Sequence, residues 1–342
     1  MSADRLPSQA AQTQAIEVAY VTPAELQARL RAGRSLLCEI QFGGALRDPY
    51  AKHPQARVGM AQLNASPLIE AWLSGQPVSY RQAGPIRYAC NEEVLFGCVA
   101  LADIAPAGFE GLVHRCYLDI LPLLDAQGYP HLLRMWNYFP GINTVFNDLD
   151  RYQSFCRGRF ESLKKYYDSQ FDQRLPAASA VGSRDGDLVI YFIAAKTPGK
   201  HRENPRQMSA YHYPPQYGPR SPSFARATLK RWDGADYLYI SGTASIVGHE
   251  SLHLNDPQAQ LEETLHNIRA LIERSAHDDG VAFRGLDSLT HIKVYIRHPE
   301  HFEPIKQHLD SLLGASVAAL YLHADICRAE LLMEIEAIAR AP

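Results

Sequence analysis

The sequence lacks any excess of charge of one sign and any long apolar run. Its 342 residues carry 34 Lys and Arg against 37 Asp and Glu, a formal net charge of -3, which argues against nucleic acid or an anionic membrane surface as the main partner. No apolar stretch approaches the roughly 18 residues of a membrane span. The opening MSADRLPSQAAQTQAIEVAY has no charged segment followed by an apolar one, as a secretory signal would. We therefore expect a cytoplasmic protein without nucleic acid or membrane partners.

Paired cysteines and familiar cofactor motifs are also missing. The six cysteines, at positions 38, 90, 98, 116, 156 and 327, show no C-x-x-C spacing, and three lie in apolar segments, so we expect buried free thiols in a reducing compartment. There is no P-loop, no G-x-G-x-x-G after a strand and no G-x-S-x-G. His249 is interpreted as a loop or capping histidine and not as a metal ligand. We expect neither metal nor cofactor, while a small anionic substrate remains compatible with the charge.

The length allows about two domains, at roughly 150 residues each. The first fifteen residues are small and polar, which predicts a disordered tail at 1–15. The breaker-rich stretch LPAASAVGSRDGD, Leu175–Asp187, divides the remainder nearly in half. We place an N-terminal domain at 16–175 and a C-terminal domain at 176–342.

The second half alternates strand and helix patterns. LVIYFIAA at 188–195 and HIKVYIR at 291–297 are short β-rich runs, and Asp233-Gly234 between two further runs predicts a hairpin. A helix begins at Asp256-Pro257, where Asp is a good N-cap and Pro suits the first turn. After the first strand comes HRENPRQMSAYHYPPQYGPRSP, a loop so long that it is either functional or disordered.

The first half repeats this order weakly. IRYACNEEVLFGCVAL is similar to the hairpin, residues 112–127 to the helix, and HLLRMWNYFP to HIKVYIRHPE. Each half therefore predicts strands followed by a helix, twice over. This order favours an α+β fold in which helices pack on one face of a mixed sheet.

The chain ends in CRAELLMEIEAIA, Cys327–Ala339, which alternates as a strand with Glu334 and Glu336 on one face. A carboxyl in an apolar pocket has a raised pKa and serves as a general acid near neutral pH. The alternative is that both glutamates pair with arginines of neighbouring strands, and spacing alone favours it. Cys327 has three interpretations, as nucleophile, pocket wall or core filler. Filler is the default because no strong base stands beside it.

Three more segments carry residues suited to an organic anion. In ISGTASIVGHES, Gly242 either forms a pocket floor or marks a bulge. In RYQSFCRGRF, Tyr152 and Arg159 share a helix face; they either clamp a carboxylate or belong to a solvated surface, and the pattern alone favours the surface. The long loop adds a basic and aromatic set that suits an anionic ring. This set is Arg206, Tyr211, Tyr213, Arg220 and Arg226.

Taken in order, these segments resemble those of one family, the chorismatases, which hydrolyse chorismate to pyruvate and a cyclic product. The matching blocks are LLRMWNYFPGIN, YQSFCRGR, ENPRQMSAYHYP with YGPRSPSFARAT, ISGTASIVGHES, IKVYIR and CRAELLMEIEAIA, which cover most of the chain after the first 80 residues. The resemblance implies two tandem domains of the trimeric enamine/imine deaminase (RidA-like) fold. It also implies a monomer in which the second domain substitutes for a trimer neighbour, and an active site mainly in the C-terminal domain.

The resemblance implies residue roles as well. Glu334 matches the catalytic acid, which protonates the methylene carbon of the enolpyruvyl ether, and Cys327 stands with it at the catalytic positions. Glu336 is then structural. The arginines of the binding set are expected on the two carboxylates of chorismate. The substrate-binding positions are Tyr152, Arg159, Gln207, Tyr213, Arg226 and Gly242.

The product follows from the same resemblance. Gln207, Gly242 and Cys327 resemble members that release 3-hydroxybenzoate, whereas members that release a dihydroxylated cyclohexadiene have a larger residue in place of Gly242. A third group makes 3- and 4-hydroxybenzoate together for pigment and quinone pathways, and these residues do not separate it from the second. We expect 3-hydroxybenzoate as a main product. The alternatives are an enamine/imine deaminase and a non-catalytic module that binds an aromatic acid.

Overall fold

The structure is a computed structural model that describes residues 14–46, 48, 50–102, 105–314 and 316–342. Five α-helices are described: α1 (Pro23–Arg31), α2 (Pro106–Gln127), α3 (Arg151–Tyr167), α4 (Pro257–Asp279) and α5 (Phe302–Leu313). The strands of the first half are β1 (Glu17–Val21), β2 (Ser35–Phe42), β3 (Gln55–Val58), β4 (Ala61–Gln62), β5 (Ile69–Ser74), β6 (Ser79–Ala83), β7 (Ile86–Cys90), β8 (Val94–Leu101), β9 (His131–Pro140), β10 (Val145–Phe146) and β11 (Leu149–Asp150). Those of the second half are β12 (Ala177–Ser183), β13 (Leu188–Ala195), β14 (Lys200–Arg202), β15 (Ala227–Trp232), β16 (Ala235–Thr243), β17 (Ile246–Val247), β18 (Glu250–Ser251), β19 (Leu289–Ile296), β20 (Ala318–His323) and β21 (Met333–Ala341).

Two of the sheets repeat one topology. The strand order is β12-β9-β13-β8-β7-β6 in one sheet and β20-β19-β21-β16-β15-β14 in the other, where β4 extends the edge beyond β20. In each sheet the strand that comes last in the sequence, β13 or β21, is inserted next to a parallel pair of strands. That pair is β9 with β12 or β19 with β20, and the inserted strand is antiparallel to β9 or β19. The predicted α+β fold with tandem mixed sheets is confirmed.

A smaller sheet, with strand order β1-β5-β2-β3, repeats the later part of the same topology. Its strands β2 and β3 are parallel, and β5 is inserted between β1 and β2 as an antiparallel strand. Strands β1, β2, β3 and β5, between residues 17 and 74, therefore form a shortened third copy of the unit, which the sequence pattern does not reveal.

Local sequence signals determine several element ends. Asp256 caps α4, since its Oδ1 accepts the N–H of Ala259 at 3.0 Å. The turn between β15 and β16 has positive φ at both central residues, Asp233 (47°) and Gly234 (83°), as a tight hairpin requires. Gly128 ends α2 in the left-handed conformation at φ 79°.

The division between the two larger sheets does not fall at residue 175. Strands β12 and β13 both follow that position, yet they pair with β9, and β13 also pairs with β8. The reason is that Leu188–Ala195 is buried on both faces and becomes a central strand. Of the tail predicted at 1–15, residues 1–13 lie outside the described residues, while Ala15 is fully buried and its N–H donates to Asp233 Oδ2 at 2.7 Å.

The apolar residues form one central core and three outer ones. The central core collects the inner faces of all three sheets, for example Ile40, Tyr191 and Ile338. The outer cores lie under α1, under α2 and α3, and under α4 and α5. Each sheet thus has helices on one face and the other two sheets on the opposite face. Of the helices described, none is long and apolar enough to cross a membrane.

Candidate active site

A cavity of about 370 Å³ opens where the two larger sheets meet. Helix α3 and strand β12 form one wall, while the long loop after β14, the end of β16 and the start of β21 form the other. Seven of the eight predicted site residues line it: Glu334, Cys327, Tyr152, Arg159, Tyr213, Arg226 and Gly242. Segments far apart in the sequence are therefore brought to one place.

Helix α3 presents Tyr152, Cys156 and Arg159 to the cavity. The helix begins at a capping box: Asp150 Oδ1 accepts the N–H of Gln153 at 2.7 Å, and the Gln153 side chain accepts the N–H of Asp150 at 2.9 Å. Arg159 is only 2% exposed, and its Nε and Nη2 donate to no group in the described residues. The solvated-surface interpretation is wrong, and a buried guanidinium with free donors faces the cavity.

The long loop supplies a second buried guanidinium. Arg226 is 4% exposed, and its Nη2 donates to the Met208 carbonyl and to the Tyr213 hydroxyl, both at 2.8 Å. Its Nε has no partner among the described residues. The loop is ordered around two short 3₁₀ turns, Ala210–His212 and Pro215–Tyr217, so the disordered alternative does not apply to it.

A third guanidinium at the cavity, that of Arg328, was not predicted. It lies 3.9 Å from the ring centroid of Tyr217 and donates to the His249 carbonyl at 2.9 Å and to Ser251 Oγ at 3.0 Å. Its position next to Cys327, in the segment CRAE, is the feature of the sequence that could have indicated it. Only the fold shows that Arg328 reaches the cavity. Three cations around one cavity suit a small polyanion.

Glu334 lies in this cavity as an uncharged acid. It is 5% exposed, and no described residue donates a hydrogen bond to its carboxyl. Burial, and then the negative charge of Glu336, raise the pKa of Glu334 to about 8, against the opposing effect of Arg134 and Arg226. Glu334 therefore holds a proton at neutral pH, as a general acid must.

Gly242 stands directly against that acid. A Cβ at residue 242 would lie 1.9 Å from Glu334 Oε1, so only glycine admits the carboxyl there. The pairing of β16 with β21 shifts register between Ile240 and Thr243, which makes Gly242 part of a bulge. Gly242 therefore both marks a bulge and lines the cavity, because the bulge itself forms part of the cavity wall.

The remaining predicted site residues are less suited to direct chemistry. Burial and the nearby Glu334 raise the pKa of Cys327 to about 12, so its thiol stays protonated at neutral pH and forms part of the wall. Gln207 does not line the cavity. It lies behind Ile246, whose carbonyl accepts its Nε2 at 3.0 Å.

Glu336 lies on the same face of β21 as Glu334. Its carboxylate is ionised and paired, as the strand spacing predicted for both glutamates. Its carboxylate accepts from Trp136 Nε1 at 2.6 Å, Ser179 Oγ at 2.7 Å, Lys293 Nζ at 2.8 Å and Arg134 Nη2 at 2.9 Å. Burial alone would raise the pKa of Glu336, but Lys293 and Arg134 outweigh it and hold that pKa below its usual value. The prediction of paired glutamates applies to Glu336 and not to Glu334.

Lys293 connects this cluster to the smaller sheet. Its Nζ lies 2.8 Å from Glu70 Oε2 as well as from Glu336 and donates to the Tyr191 hydroxyl at 2.9 Å. The cluster thus takes a residue from each of the three sheets. Within the described ranges no group of three His, Cys, Asp or Glu side chains could hold a metal ion.

Comparison with known proteins places the chain in one family. Residues 70–194 match the family model described as "Chorismatase FkbO/Hyg5-like, N-terminal". A 3-hydroxybenzoate synthase of Streptomyces hygroscopicus is 34% identical over 318 residues, covering 90% of this chain and 92% of that protein. A chorismatase of Streptomyces rapamycinicus is 35% identical over 298 residues, covering 83% and 86%.

A solved structure agrees with the sequence matches. A crystal structure of a chorismatase superposes with a TM-score of 0.86 at 31% identity, covering 95% of this chain and 98% of that one. The chain belongs to the chorismatase family.

Proposed function

We propose that this protein converts chorismate into pyruvate and 3-hydroxybenzoate, with Glu334 as the acid that protonates the enolpyruvyl methylene carbon. The observation that carries the proposal is an uncharged carboxyl, free of hydrogen bonds from described residues, in a cavity lined by three guanidinium groups. A similar relative is named 3-hydroxybenzoate synthase, which supports this product.

The charge of the cavity fits the substrate. Chorismate carries two carboxylates, and Arg159 and Arg226 each keep at least one unused donor within a nearly closed space. A volume of about 370 Å³ is within the range that encloses a small organic ligand. We assign one carboxylate to each buried arginine, with Tyr152 and Tyr213 beside them.

The chemistry begins with proton transfer to carbon. The Glu334 proton moves to the methylene carbon, the carbon–carbon double bond breaks, and positive charge develops at the ether carbon, stabilised by the ether oxygen. The Glu334 carboxylate that remains is stabilised by Arg134 and Arg226, whose charges favour its ionised form. A positioned acid of this kind contributes roughly 10²–10⁴ in rate.

The atom balance then identifies what distinguishes the products. Pyruvate and 3-hydroxybenzoate together contain the atoms of chorismate, so no net water is used. As the bond between ring carbon 3 and the ether oxygen breaks and pyruvate leaves, the hydroxyl oxygen of ring carbon 4 bonds to carbon 3. Its bond to carbon 4 then breaks, and the ring hydrogen on carbon 3 leaves as the ring becomes aromatic, which balances the hydrogen that the methylene carbon gained. The Glu334 carboxylate is the base that we assign to this hydrogen, which restores the acid. Release of the diene would instead consume one water. The name of a similar relative, 3-hydroxybenzoate synthase, supports the first course.

The cellular setting is part of the proposal. We infer a monomer, because both walls of the cavity come from sheets of the same chain. The six free cysteines fit the reducing cytoplasm. Whether 4-hydroxybenzoate accompanies the main product is decided by experiment.

The test is to incubate the purified protein with chorismate, follow pyruvate and separate the aromatic products by chromatography. Pyruvate with 3-hydroxybenzoate is the expected result, and additional 4-hydroxybenzoate would place the protein in the dual-product group. The diene alone would overturn the product assignment. No pyruvate above the spontaneous background would overturn the activity and direct attention to imines and to binding of aromatic acids.

A further inference from the structure

Strand β12 lies within the stretch that the sequence marks as a linker, and it lines the cavity beside the other larger sheet. The N–H groups of Ala177 and Ala178 donate to side-chain hydroxyls of that sheet, those of Thr228 (3.1 Å) and Ser241 (2.9 Å). Hydroxyl groups therefore join the two sheets here, beside an isolated backbone pairing of Ala177 with Ala225.

Ser179, the next residue, makes the contact closest to the chemistry. Its hydroxyl accepts the N–H of Gly242 at 2.9 Å and Arg134 Nη2 at 2.6 Å, and donates to Glu336 Oε2 at 2.7 Å. A serine hydroxyl has one hydrogen to donate and two lone pairs, so all of its capacity is used. It is 4% exposed, and its orientation is determined by groups from both sheets.

The carboxyl of Glu334 has no such anchor. No described residue donates a hydrogen bond to it, and its close neighbour is the backbone of Gly242, where a Cβ would come within 1.9 Å of Oε1. The position of the acid therefore depends on where the bulge at Gly242 stands, and the bulge is tied across the cavity by the Ser179 hydroxyl.

We propose that Ser179 is a positioning residue: its hydroxyl ties the Gly242 backbone to Glu336 and so fixes the wall against which Glu334 delivers its proton. This inference rests on the proposed function, since it concerns the same proton transfer. The same tie gives a protein partner to the Gly242 N–H, to Arg134 Nη2 and to Glu336 Oε2 at that point of the wall.

Replacing Ser179 by alanine leaves the Gly242 N–H without its acceptor and removes one bond each from Arg134 and Glu336, which stay paired with each other. A water molecule has two to four polar partners there, which is enough to hold it. We expect turnover to fall roughly 10- to 100-fold, as a small misplacement of a reacting group does. We also expect a larger share of the water-consuming diene, because water now lies beside the developing cation.

Ser183→Ala is the matched control. Ser183 lies on the same strand, is 3% exposed, and its hydroxyl has no hydrogen-bond partner among the described residues. The same chemical change is thus made without touching Gly242 or Glu336. Ser179→Thr, which keeps the hydroxyl, is expected to restore most of the turnover and the wild-type product ratio.

The experiment measures pyruvate release and the ratio of diene to 3-hydroxybenzoate for wild type and the three variants, with thermal unfolding alongside. If Ser179→Ala does not fold, Ser179→Cys, which keeps the volume with a weaker donor, replaces it. Loss of turnover with more diene in Ser179→Ala, but not in Ser183→Ala, supports the inference. Equal turnover and product ratio in these two variants overturns it, whereas an inactive wild type overturns the proposed function itself.

Discussion

Glu334 and Glu336 stand two residues apart on the same face of β21, and each is 5% exposed, yet they are in opposite protonation states. Glu336 accepts hydrogen bonds or ion pairs from four groups, two of them cationic. Glu334 has none of these, and burial with the neighbouring charge raises its pKa to about 8. Equal burial thus gives an anion at one position and an acid at the other.

The difference shows that, at equal burial, the neighbouring donors decide the protonation state of a buried carboxyl. The ionised Glu336 also contributes to the state of Glu334, because its negative charge disfavours a second one nearby. Two like groups side by side therefore separate in function: one completes an electrostatically balanced cluster, and the other is left neutral and able to donate a proton.

The largest effect is expected from Glu334→Gln. Glutamine keeps the shape and polarity of the protonated acid but has no proton of suitable acidity, so turnover should fall by roughly 10²–10⁴. Chorismate binding should persist, since Arg159 and Arg226 are untouched. Pyruvate release gives the first quantity and isothermal titration the second. Near-wild-type turnover would assign the proton transfer to another group.

Lys293→Met should have the next largest effect, on stability. Lys293 is fully buried between Glu70 and Glu336, each 2.8 Å from its Nζ. Removing one member of a buried ion cluster leaves an uncompensated charge and costs about 3–5 kcal/mol. Denaturant unfolding measures the change.

The double variant Lys293→Met/Glu70→Gln is the control for that measurement. It removes one charge of each sign, so it should be less destabilised than Lys293→Met alone. If the single variant were as stable as wild type, the cluster would not be what holds Glu336 ionised.

Gly242→Ala should have a smaller effect on the same acid. The added Cβ would overlap Glu334 Oε1, so either the carboxyl or the bulge must shift, and we expect a loss of turnover of roughly 10- to 100-fold. The displaced wall should also favour the diene over 3-hydroxybenzoate. Product chromatography checks this; an unchanged rate and ratio would mean that the wall does not position the acid.

Local patterns in the sequence predict much of this fold. The Asp233-Gly234 turn, the cap at Asp256 and the alternation of β21 each depend on neighbouring residues, and the structure has all three. The shared face of Tyr152 and Arg159 follows from helix periodicity in the same way. These features need no knowledge of distant contacts.

The assignment of the two glutamates depends on distant contacts instead. The side chains that hold Glu336 come from β9, β12 and β19, and Arg134 is 202 residues away along the chain. Strand β12 was also missed, since AASAVGS has the small residues of a linker and becomes a strand by pairing with β9. Resemblance to a family supplied what the local pattern could not, namely the hypothesis that Glu334 is the acid.

The smallest effect, counted per pH unit, is a pH dependence that separates the two glutamates by thermodynamics alone. The pKa of Glu334 is about 8 in the folded protein against an ordinary value of 4.5. Between these values the unfolded chain releases the proton while the folded protein keeps it. The contribution of Glu334 to the free energy of unfolding is therefore full below pH 4.5 and is lost as pH rises to about 8. Relative to Glu334→Gln, wild type should lose at most about 1.4 kcal/mol per pH unit in that window.

Denaturant unfolding of both proteins at a series of pH values measures this difference, with Glu300→Gln, an exposed position, as the control. Turnover should fall in parallel above pH 8, where Glu334 loses its proton. Parallel stability curves for wild type and Glu334→Gln would mean that Glu334 is ionised in the folded protein. The contrast with Glu336 would then disappear, and with it the reason for choosing Glu334 as the acid.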